Sequence, residues 1–412
     1  MRGGSANERL ERLLADPVLS NLMVALNPPG EETRLVGGIV RNTLLGEPTE
    51  DVDLATTLQP PDILKRGKAM GWKAVPTGIE HGTITLLREG RSFEVTTLRR
   101  DVETDGRHAR VVFGRDFRED AARRDFTINA LSLGTDGRLH DYFGGEADLA
   151  ARIVRFIGDP ETRLREDYLR GLRFFRFSAR YGGGRLDPAG MAAILRMRAG
   201  FAGLSRERIR QELFKLLMAA HVLPVLRQMG EAGLLPDLLG IEADLDRFAA
   251  RAGLQARRPD LAWPVLARLA ALLSRKGRVD PALQEALKLS NEEMRWLEQC
   301  AGAEDLITRG AAHLASWLAE DFPLAAGEAI ALAASVSPEP ERVLALAEAA
   351  EKHPRLYVSG RDFLAAGFTP GPVVGARLAA FRARWIEAGA PGSEAEQRAL
   401  FSRFLAESGA GS

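Results

Sequence analysis

The first hundred positions of the chain alternate between helical and strand-like spacing of apolar residues. Residues 6–26 repeat leucine and methionine at helical intervals and stop at an Asn-Pro-Pro-Gly turn, so they predict one helix. Residues 60–70 predict a second helix, which begins with two prolines and ends before Gly71. Three short β-rich runs follow, at residues 72–75, 82–88 and 92–98. This mixture predicts an α+β domain built on a small mixed sheet.

The rest of the chain has mainly helical periodicity. Residues 161–181 predict one long helix, Ser205 is a candidate N-cap for another, and helices rich in leucine and alanine follow from about residue 218. We therefore divide the chain into an α+β head (1–158), a helical neck (159–217) and a helical body and tail (218–412).

The composition is that of an ordinary globular protein, since 45% of the 412 residues are hydrophobic and 27% are charged. The single cysteine, Cys300, excludes an internal disulfide framework and a cysteine-based zinc cluster. The N-terminal residues lack the apolar core of a signal peptide, and no run reaches the roughly 18 apolar residues of a membrane span. We expect a cytoplasmic protein with no membrane partner. The sequence does not indicate an oligomeric state.

Charge is distributed unevenly although the net charge is zero. Residues 151–216 contain 15 Lys and Arg against 7 Asp and Glu, whereas the segments on either side are mildly acidic. A basic band of this kind is typical of a surface that follows a phosphate backbone. A set of solvated helix faces explains the same charge pattern equally well.

Two carboxylates follow a glycine turn in the stretch GGIVRNTLLGEPTEDVDLA. Asp51 and Asp53 are two residues apart in a strand-like run, so their side chains point to the same face and can share a hard cation such as Mg²⁺. The pair Gly37-Gly38 lies between a strand-like run and a helical run, where exposed backbone N–H groups bind phosphate. Together they indicate a site for metal-dependent nucleotidyl transfer. Each signal alone is more often a plain turn or a solvated strand end.

The stretch resembles the opening motif of the DNA polymerase β nucleotidyltransferase superfamily, in the form found in CCA-adding tRNA nucleotidyltransferases and bacterial poly(A) polymerases. That motif is GGxVRD followed by DxD, and this chain has Asn42 where Asp is usual. The resemblance implies that Gly37, Gly38 and Arg41 bind the triphosphate. It also implies a third carboxylate on a neighbouring strand, which we assign to Glu94. The pattern alone favours a surface glutamate at that position.

Three further segments resemble motifs of the same family. RRDFTINAL resembles its RRDFxxNAL motif, in which Arg124, Asp125 and Asn129 would contact the sugar and the phosphates of the nucleotide. If this segment is helical, Asp125 and Asn129 lie one turn apart on the same face. The EDxxR motif of the class II enzymes implies that Asp167 and Arg170 read the base, and in the predicted helix both Glu166 and Asp167 pair with Arg170. The polar stretch 99–111 predicts a surface loop. Further candidates are Glu166, Arg173, Asp105 and Arg107.

The resemblance covers roughly residues 31–216 and implies a class II CCA-adding enzyme. Such an enzyme uses two Mg²⁺ ions held by Asp51, Asp53 and Glu94. It extends the 3′ end of tRNA with CTP and ATP and selects the base by protein side chains, without a template. A bacterial poly(A) polymerase, an enzyme that adds only CC or only A, and a catalytically silent RNA-binding protein remain alternatives.

Overall fold

The computed structural model describes residues 4–49, 51–104, 109–273 and 278–407. The chain divides into two compact units, Met1–Gln228 and Met229–Ser412. Among the described residues, none of the helices combines the length and the apolar character needed to cross a bilayer. The predicted boundaries at 158/159 and 217/218 stay predictions.

A seven-stranded mixed sheet forms the centre of the first unit, with strand order β3-β4-β5-β2-β1-β8-β9. Only the β2–β5 pair is parallel, and the other neighbours in this sheet are antiparallel. The strands are β1 Thr33–Val36, β2 Val52–Thr56, β3 Lys73–Gly78, β4 Thr83–Arg88, β5 Arg91–Thr97, β6 Arg99–Thr104, β7 Ala109–Phe113, β8 Ser132–Leu133 and β9 Leu139–His140. The predicted α+β class and the three predicted β-rich runs are confirmed.

Strands β6 and β7 form a separate two-stranded ribbon. The prediction of a loop for residues 99–111 is therefore wrong over most of its length. A ribbon needs only paired backbone N–H and C=O groups, so it forms here without the apolar alternation that the prediction required. Asp105 and Arg107 lie outside the described residues, and their assignment is left as a prediction.

Eleven α-helices begin in the described part of the first unit: α1 Ala6–Leu14, α2 Pro17–Ala25, α3 Gly38–Leu45, α4 Pro60–Ala69, α5 Phe117–Ala122, α6 Gly145–Ala151, α7 Pro160–Glu166, α8 Leu169–Arg180, α9 Pro188–Arg196, α10 Arg206–Leu217 and α11 Val222–Glu231. The helix predicted over residues 6–26 is in fact two helices. Asp16 is extended before Pro17, and its carboxylate accepts the Leu19 N–H at 2.9 Å and so caps α2.

The helix predicted over residues 161–181 is also two helices, α7 and α8. The chain is extended at Asp167, with φ −158° and ψ 109°. The Asp167 carboxylate accepts the Leu169 N–H at 3.0 Å, which satisfies an N–H of the first turn of α8. Asp167 therefore lies outside both helices, so the helical spacing that predicted its pairing with Arg170 does not apply.

An aromatic cluster packs the segment after β7 against helix α8. Phe126 lies 5.0 Å from Phe156 and 5.3 Å from Phe177 between ring centroids, and Phe174 lies 5.4 Å from Phe156. All four rings are buried. Burial of a phenylalanine side chain stabilises the folded state by about 1.5–3 kcal/mol. This cluster therefore fixes the segment around Asp125 against α8.

The described part of the second unit is helical, as predicted. Its helices are α12 Leu235–Leu239, α13 Leu245–Arg257, α14 Val265–Leu272, α15 Ala282–Leu287, α16 Asn291–Arg309, α17 Leu314–Asp321, α18 Ala326–Val336, α19 Pro340–Glu351, α20 Gly360–Ala365, α21 Pro372–Glu387 and α22 Glu394–Glu407. A core around Phe363, Phe381 and Trp385 packs α20 and α21 together. Arg251, fully buried on α13, pairs with Glu328 of α18 at 2.9 Å.

Candidate active site

An open cleft of about 590 Å³ lies in the first unit. It is lined by Gly37, Gly38, Arg41, Asp51, Asp53, Arg123, Arg124, Asp125, Asn129, Asp167, Leu169, Arg170, Arg173, Phe177 and Arg208. The cleft therefore brings together residues from every predicted motif within the described part of the chain. Glu94 and Glu166 are not among the lining residues. Glu94 is the register partner of the lining residue Asp53, and Glu166 directly precedes the lining residue Asp167.

The glycine turn connects strand β1 to helix α3. Gly37 has φ +72°, a conformation that side chains other than glycine's rarely adopt, and its N–H donates to the Leu131 carbonyl at 3.1 Å. A Cβ on Gly37 would lie 2.9 Å from Nη1 of Arg124. The turn thus needs glycine for two reasons, and it places the N-terminus of α3 beside a guanidinium group at the cleft.

Asp51 and Asp53 flank the buried Val52 at the start of β2, in the alternation that the sequence predicted. Asp53 is the register partner of Glu94 on the parallel strand β5. Burial, and next the negative charge of Glu94, raise the pKa of the Asp53 carboxyl. Within the described residues, neither aspartate carboxylate receives a hydrogen bond or an ion pair, and no three His, Cys, Asp or Glu side chains are close enough to hold a metal ion.

This donor set fits a divalent cation in its chemistry. Asp51 and Asp53 offer hard oxygen ligands at the cleft. Burial and then repulsion from Glu94 raise the Asp53 pKa, and a bound cation would offset both effects. Glu94 adds negative charge from the neighbouring strand.

Arg41 is a buried cation at the cleft, with 6% of its surface exposed. Its Nε and Nη2 donate to Asn42 Oδ1 at 3.0 and 2.8 Å, and Nη2 also donates to the Tyr181 hydroxyl at 2.8 Å. Nη1 donates to Asn129 Oδ1. The guanidinium lies 4.2 Å above the centroid of the Tyr181 ring. Burial lowers the Arg41 pKa from its ordinary value.

The segment that carries Asp125 and Asn129 is not an α-helix. Phe126 is extended and pairs with Phe156 as an isolated β-bridge, and Thr127–Asn129 then form a 3-10 turn. Backbone pairing with the segment around Phe156 therefore prevails over helix formation. The two polar side chains nevertheless lie close together, as predicted: Asn129 Nδ2 donates to Asp125 Oδ1 at 2.8 Å.

Asp125 is buried with both carboxylate oxygens engaged. Oδ1 accepts the Phe126 N–H at 2.9 Å as well as the Asn129 amide, and Oδ2 accepts Nε of Arg173 at 2.7 Å. Burial raises the pKa of this carboxyl, but the charge of Arg173 and these hydrogen bonds outweigh burial, so the Asp125 pKa lies below its ordinary value. The Asp125–Arg173 ion pair thus joins the segment around Asp125 to helix α8.

Asp167 pairs with Arg208 of helix α10, at 2.7 Å between Oδ2 and Nη2, and not with Arg170. The predicted Asp167–Arg170 pair is therefore wrong. The helix ends before Asp167, which is extended, and Arg170 lies on the next helix, α8. The predicted Glu166–Arg170 pair is present at 2.5 Å. Arg170 Nη2 also donates to the Arg123 carbonyl at 3.0 Å. Both residues assigned to the base face the cleft and are held by other side chains.

Sequence reasoning missed the roles of Phe177, Tyr181 and Arg208 in this site. Three guanidinium groups lie over the Phe177 ring: those of Arg176 at 4.3 Å and of Arg41 and Arg173 at 5.2 Å each. The alternation of arginine and phenylalanine in RFFRF was the available signal for this stacking. No local signal joined Tyr181 to Arg41, which lies 140 positions earlier.

Comparison with known protein families gives two matches. Residues 33–155 match the family described as "Poly A polymerase head domain", and residues 185–242 match the family described as "Probable RNA and SrmB- binding site of polymerase A". The first match contains the glycine turn, both aspartates and the segment around Asp125.

Individual proteins are similar over most of their length. The mitochondrial CCA tRNA nucleotidyltransferase 1 of Danio rerio is 37% identical over 370 residues, which cover 86% of this chain and 83% of that protein. The CCA-adding enzyme of Levilactobacillus brevis is 34% identical over 380 residues, covering 89% and 91%. The crystal structure of the Bacillus stearothermophilus CCA-adding enzyme in complex with CTP has a TM-score of 0.73 at 29% identity and covers 94% of this chain and 97% of that chain.

Proposed function

The chain belongs to the family of CCA-adding tRNA nucleotidyltransferases, and from this premise we propose that it adds C, C and A to the 3′ end of tRNA from CTP and ATP without a template. The observation that carries the proposal is the cleft of the first unit, in which the glycine turn, the aspartate pair and the two arginine-rich motifs meet. The relatives named above are CCA-adding enzymes, and the similarity to this chain extends over most of their length.

In this reaction the tRNA 3′-hydroxyl attacks the α-phosphorus of the nucleotide, and pyrophosphate leaves. We propose that Asp51 and Asp53, with Glu94 beside them, hold Mg²⁺, and that this ion when bound activates the hydroxyl and neutralises charge on the leaving oxygen. The open cleft gives the 3′ end and the nucleotide access to the same two aspartates. Two Mg²⁺ ions at this place stay a prediction.

The remaining cleft residues bind and orient the nucleotide in this proposal. Gly37, Gly38 and Arg41 bind the triphosphate. Gly37 shapes the turn, its own N–H being paired with Leu131, so the backbone N–H groups that bind phosphate are those at the start of α3 from Gly38 onward, and Arg41 supplies a buried positive charge. Asp125 and Asn129 contact the ribose, and Arg124 contacts phosphate. Arg124 is suited to this because it lies beside the glycine turn.

Base selection is assigned to Asp167 and Arg170. A carboxylate accepts from the exocyclic amine that C and A both carry, and a guanidinium donates to a ring nitrogen or carbonyl. Asp167 retains acceptor capacity beyond its contacts with Arg208 and the Leu169 N–H, since an ionised carboxylate offers about four lone-pair sites. The Arg208 contact holds this carboxylate in one orientation, so G and U would meet a fixed mismatch.

An extension assay at single-nucleotide resolution tests the proposal. One tRNA ends at the discriminator base and another ends in CC, and each receives CTP and ATP singly and together with Mg²⁺. We expect the first tRNA to gain three residues only with both nucleotides, after which extension stops. Long A tails would identify a poly(A) polymerase, and addition of CC or A alone a partial enzyme. Binding of tRNA with no extension would identify a silent RNA-binding protein.

A cytoplasmic location remains a prediction, and the Danio rerio relative is named as mitochondrial. Fractionation of cells that express the tagged chain would test it. A membrane or organelle pool would contradict the expectation.

A further inference from the structure

Arg41 is held by neutral partners throughout the described residues. Its hydrogen-bond acceptors are Asn42 Oδ1, Asn129 Oδ1 and the Tyr181 hydroxyl, and its ring contacts are with Tyr181 and Phe177. No carboxylate in the described part of the chain lies within ion-pair distance of this guanidinium. A buried cation without a counter-ion is costly unless an anion joins it when the site is in use.

The nearby carboxylate of Asp125 does not supply that counter-ion. Its hydrogen-bonded link to Arg41 runs through the Asn129 amide, which donates to Asp125 Oδ1 at 2.8 Å and accepts from Arg41. Its other oxygen is engaged by Arg173, at 2.6 Å from Nη2. Asp125 acts on Arg41 only through a longer-range attraction, since its direct ion pair is with Arg173, and Arg41 has no direct ion pair among the described residues.

Asn42 is oriented so that an aspartate would not simply replace it. Its Oδ1 accepts from Arg41 twice and from the Tyr181 hydroxyl at 3.3 Å, while its Nδ2 points to the Pro48 carbonyl at 3.5 Å. A carboxylate would place a second oxygen against that carbonyl and would also form an ion pair with Arg41. The amide thus fixes the guanidinium and leaves its charge intact.

Tyr181, at the end of helix α8, joins Asn42 and Asn129 around the Arg41 guanidinium, and we call these three side chains the Arg41 cradle. Its hydroxyl accepts from Arg41 and donates to Asn42, and its ring packs against the guanidinium face. Gly38 of the glycine turn is adjacent, since a Cβ there would lie 3.7 Å from Arg41 Nη2. The cradle therefore sits against the turn to which phosphate is assigned.

We propose that Asn42 and Tyr181 are positioning residues that hold Arg41 as a cation without a carboxylate partner, so that its full charge acts on the triphosphate of the incoming nucleotide. The proposal rests on the proposed function. It gives a physical role to the position at which the chain departs from the GGxVRD pattern. Asn42 then sets nucleotide affinity and not base choice, because CTP and ATP carry the same triphosphate.

Equilibrium binding of CTP and of ATP to the full chain, without tRNA, tests the proposal. We expect Asn42→Asp to raise both dissociation constants about tenfold and by the same factor, because the new carboxylate competes with phosphate for Arg41. Tyr181→Phe keeps the ring but removes the hydroxyl, and we expect a rise of about threefold for both nucleotides. In steady-state extension the loss should appear in KM, with kcat nearly unchanged.

Two matched control variants lie in the same unit, at residues that do not line the cleft. Tyr142→Phe removes a hydroxyl that accepts Arg34 Nη1 at 2.9 Å, the same kind of contact as that of Tyr181. Asn27→Asp replaces an amide whose Nδ2 donates to the Met23 carbonyl at 2.6 Å. Neither Tyr142 nor Asn27 lines the cleft, and we expect both variants to bind CTP and ATP like the original chain.

The outcomes distinguish a failure of the proposed function from a failure of the positioning role. If the unaltered chain binds neither CTP nor ATP, the proposed function fails. If it binds both and folded Asn42→Asp binds them equally well or more tightly, or loses only one of them, the positioning role is wrong. If Asn42→Asp does not fold, Tyr181→Phe decides, and unchanged affinity in that variant overturns the proposal.

Discussion

Replacement of Asp125 by asparagine should destabilise the first unit by removing one partner of a half-buried ion pair. Asp125 Oδ1 accepts from the Phe126 N–H and the Asn129 amide, and Oδ2 faces Arg173. In Asp125→Asn the carbonyl oxygen can keep the first two contacts. The new amide then turns its N–H groups toward the guanidinium, so Arg173 loses its acceptor and its counter-charge.

The magnitude follows from the burial of the two partners. Breaking a fully buried pair by removing one partner costs about 3–5 kcal/mol. Asp125 is 8% exposed in its side chain, but Arg173 is 33% exposed and water can partly solvate it once its partner is lost. We therefore expect a loss of about 2–3 kcal/mol in the free energy of unfolding.

Urea unfolding of the full chain, with hydrogen exchange in peptides of helix α8 as the local report, measures this loss. The control Asp159→Asn changes an exposed aspartate that caps helix α7 through the Thr162 N–H at 2.8 Å. Asparagine is an equally good N-cap, so that variant should stay within about 0.5 kcal/mol.

The pH dependence gives a second test of the same pair. The folded pKa of Asp125 lies below its ordinary value near 3.8, so its contribution is present above that value and is lost as the pH falls through the folded pKa. The difference between the original chain and Asp125→Asn should be largest above about pH 4 and shrink in acid. In a double-mutant cycle with Arg173→Met, strictly additive losses, or a difference that does not change with pH, would refute the reasoning.

Three further changes test the cleft. Asp53→Ala should abolish nucleotide incorporation and leave tRNA affinity in a gel-shift assay nearly unchanged, and incorporation near the original level would rule out the metal assignment. Asp167→Ala should let G and U compete with C and A in single-nucleotide extension, whereas unchanged selectivity would count against base reading by this carboxylate. Gly37→Ala puts a Cβ 2.9 Å from Arg124 Nη1 at φ +72°, so kcat/KM should fall at least about tenfold while Gly71→Ala, which also has positive φ but open space around it, should not affect kcat/KM.

Local sequence predicted much of the architecture because its signals act over a few residues. Strand alternation around Val52 directs both aspartates to the cleft, and Gly37 marks a turn whose positive φ favours glycine. The paired prolines start α4 where expected, and the helical periodicity of the second half is confirmed. The resemblance of ordered motifs then supplied the family, which the comparisons confirm.

The sequence erred where a distant partner competes with local propensity. The segment after Asp125 has helical spacing, yet a bridge to Phe156 holds it extended. Asp167 has helical spacing to Arg170, yet its carboxylate starts helix α8 and pairs with Arg208, 41 positions later. Periodicity describes neighbours along one element, so it does not report a contact between elements.

By itself, the sequence thus determined which residues carry charge, where the glycine turns lie and which strand presents paired carboxylates. The tertiary structure decided which of them meet. Arg173 neutralises Asp125 and not a surface acid, Arg208 orients Asp167, and Arg41 lies among neutral partners from three separate segments. The physical reason is that the energy of a buried charge depends on what surrounds it in space, and side chains brought together by folding supply those surroundings.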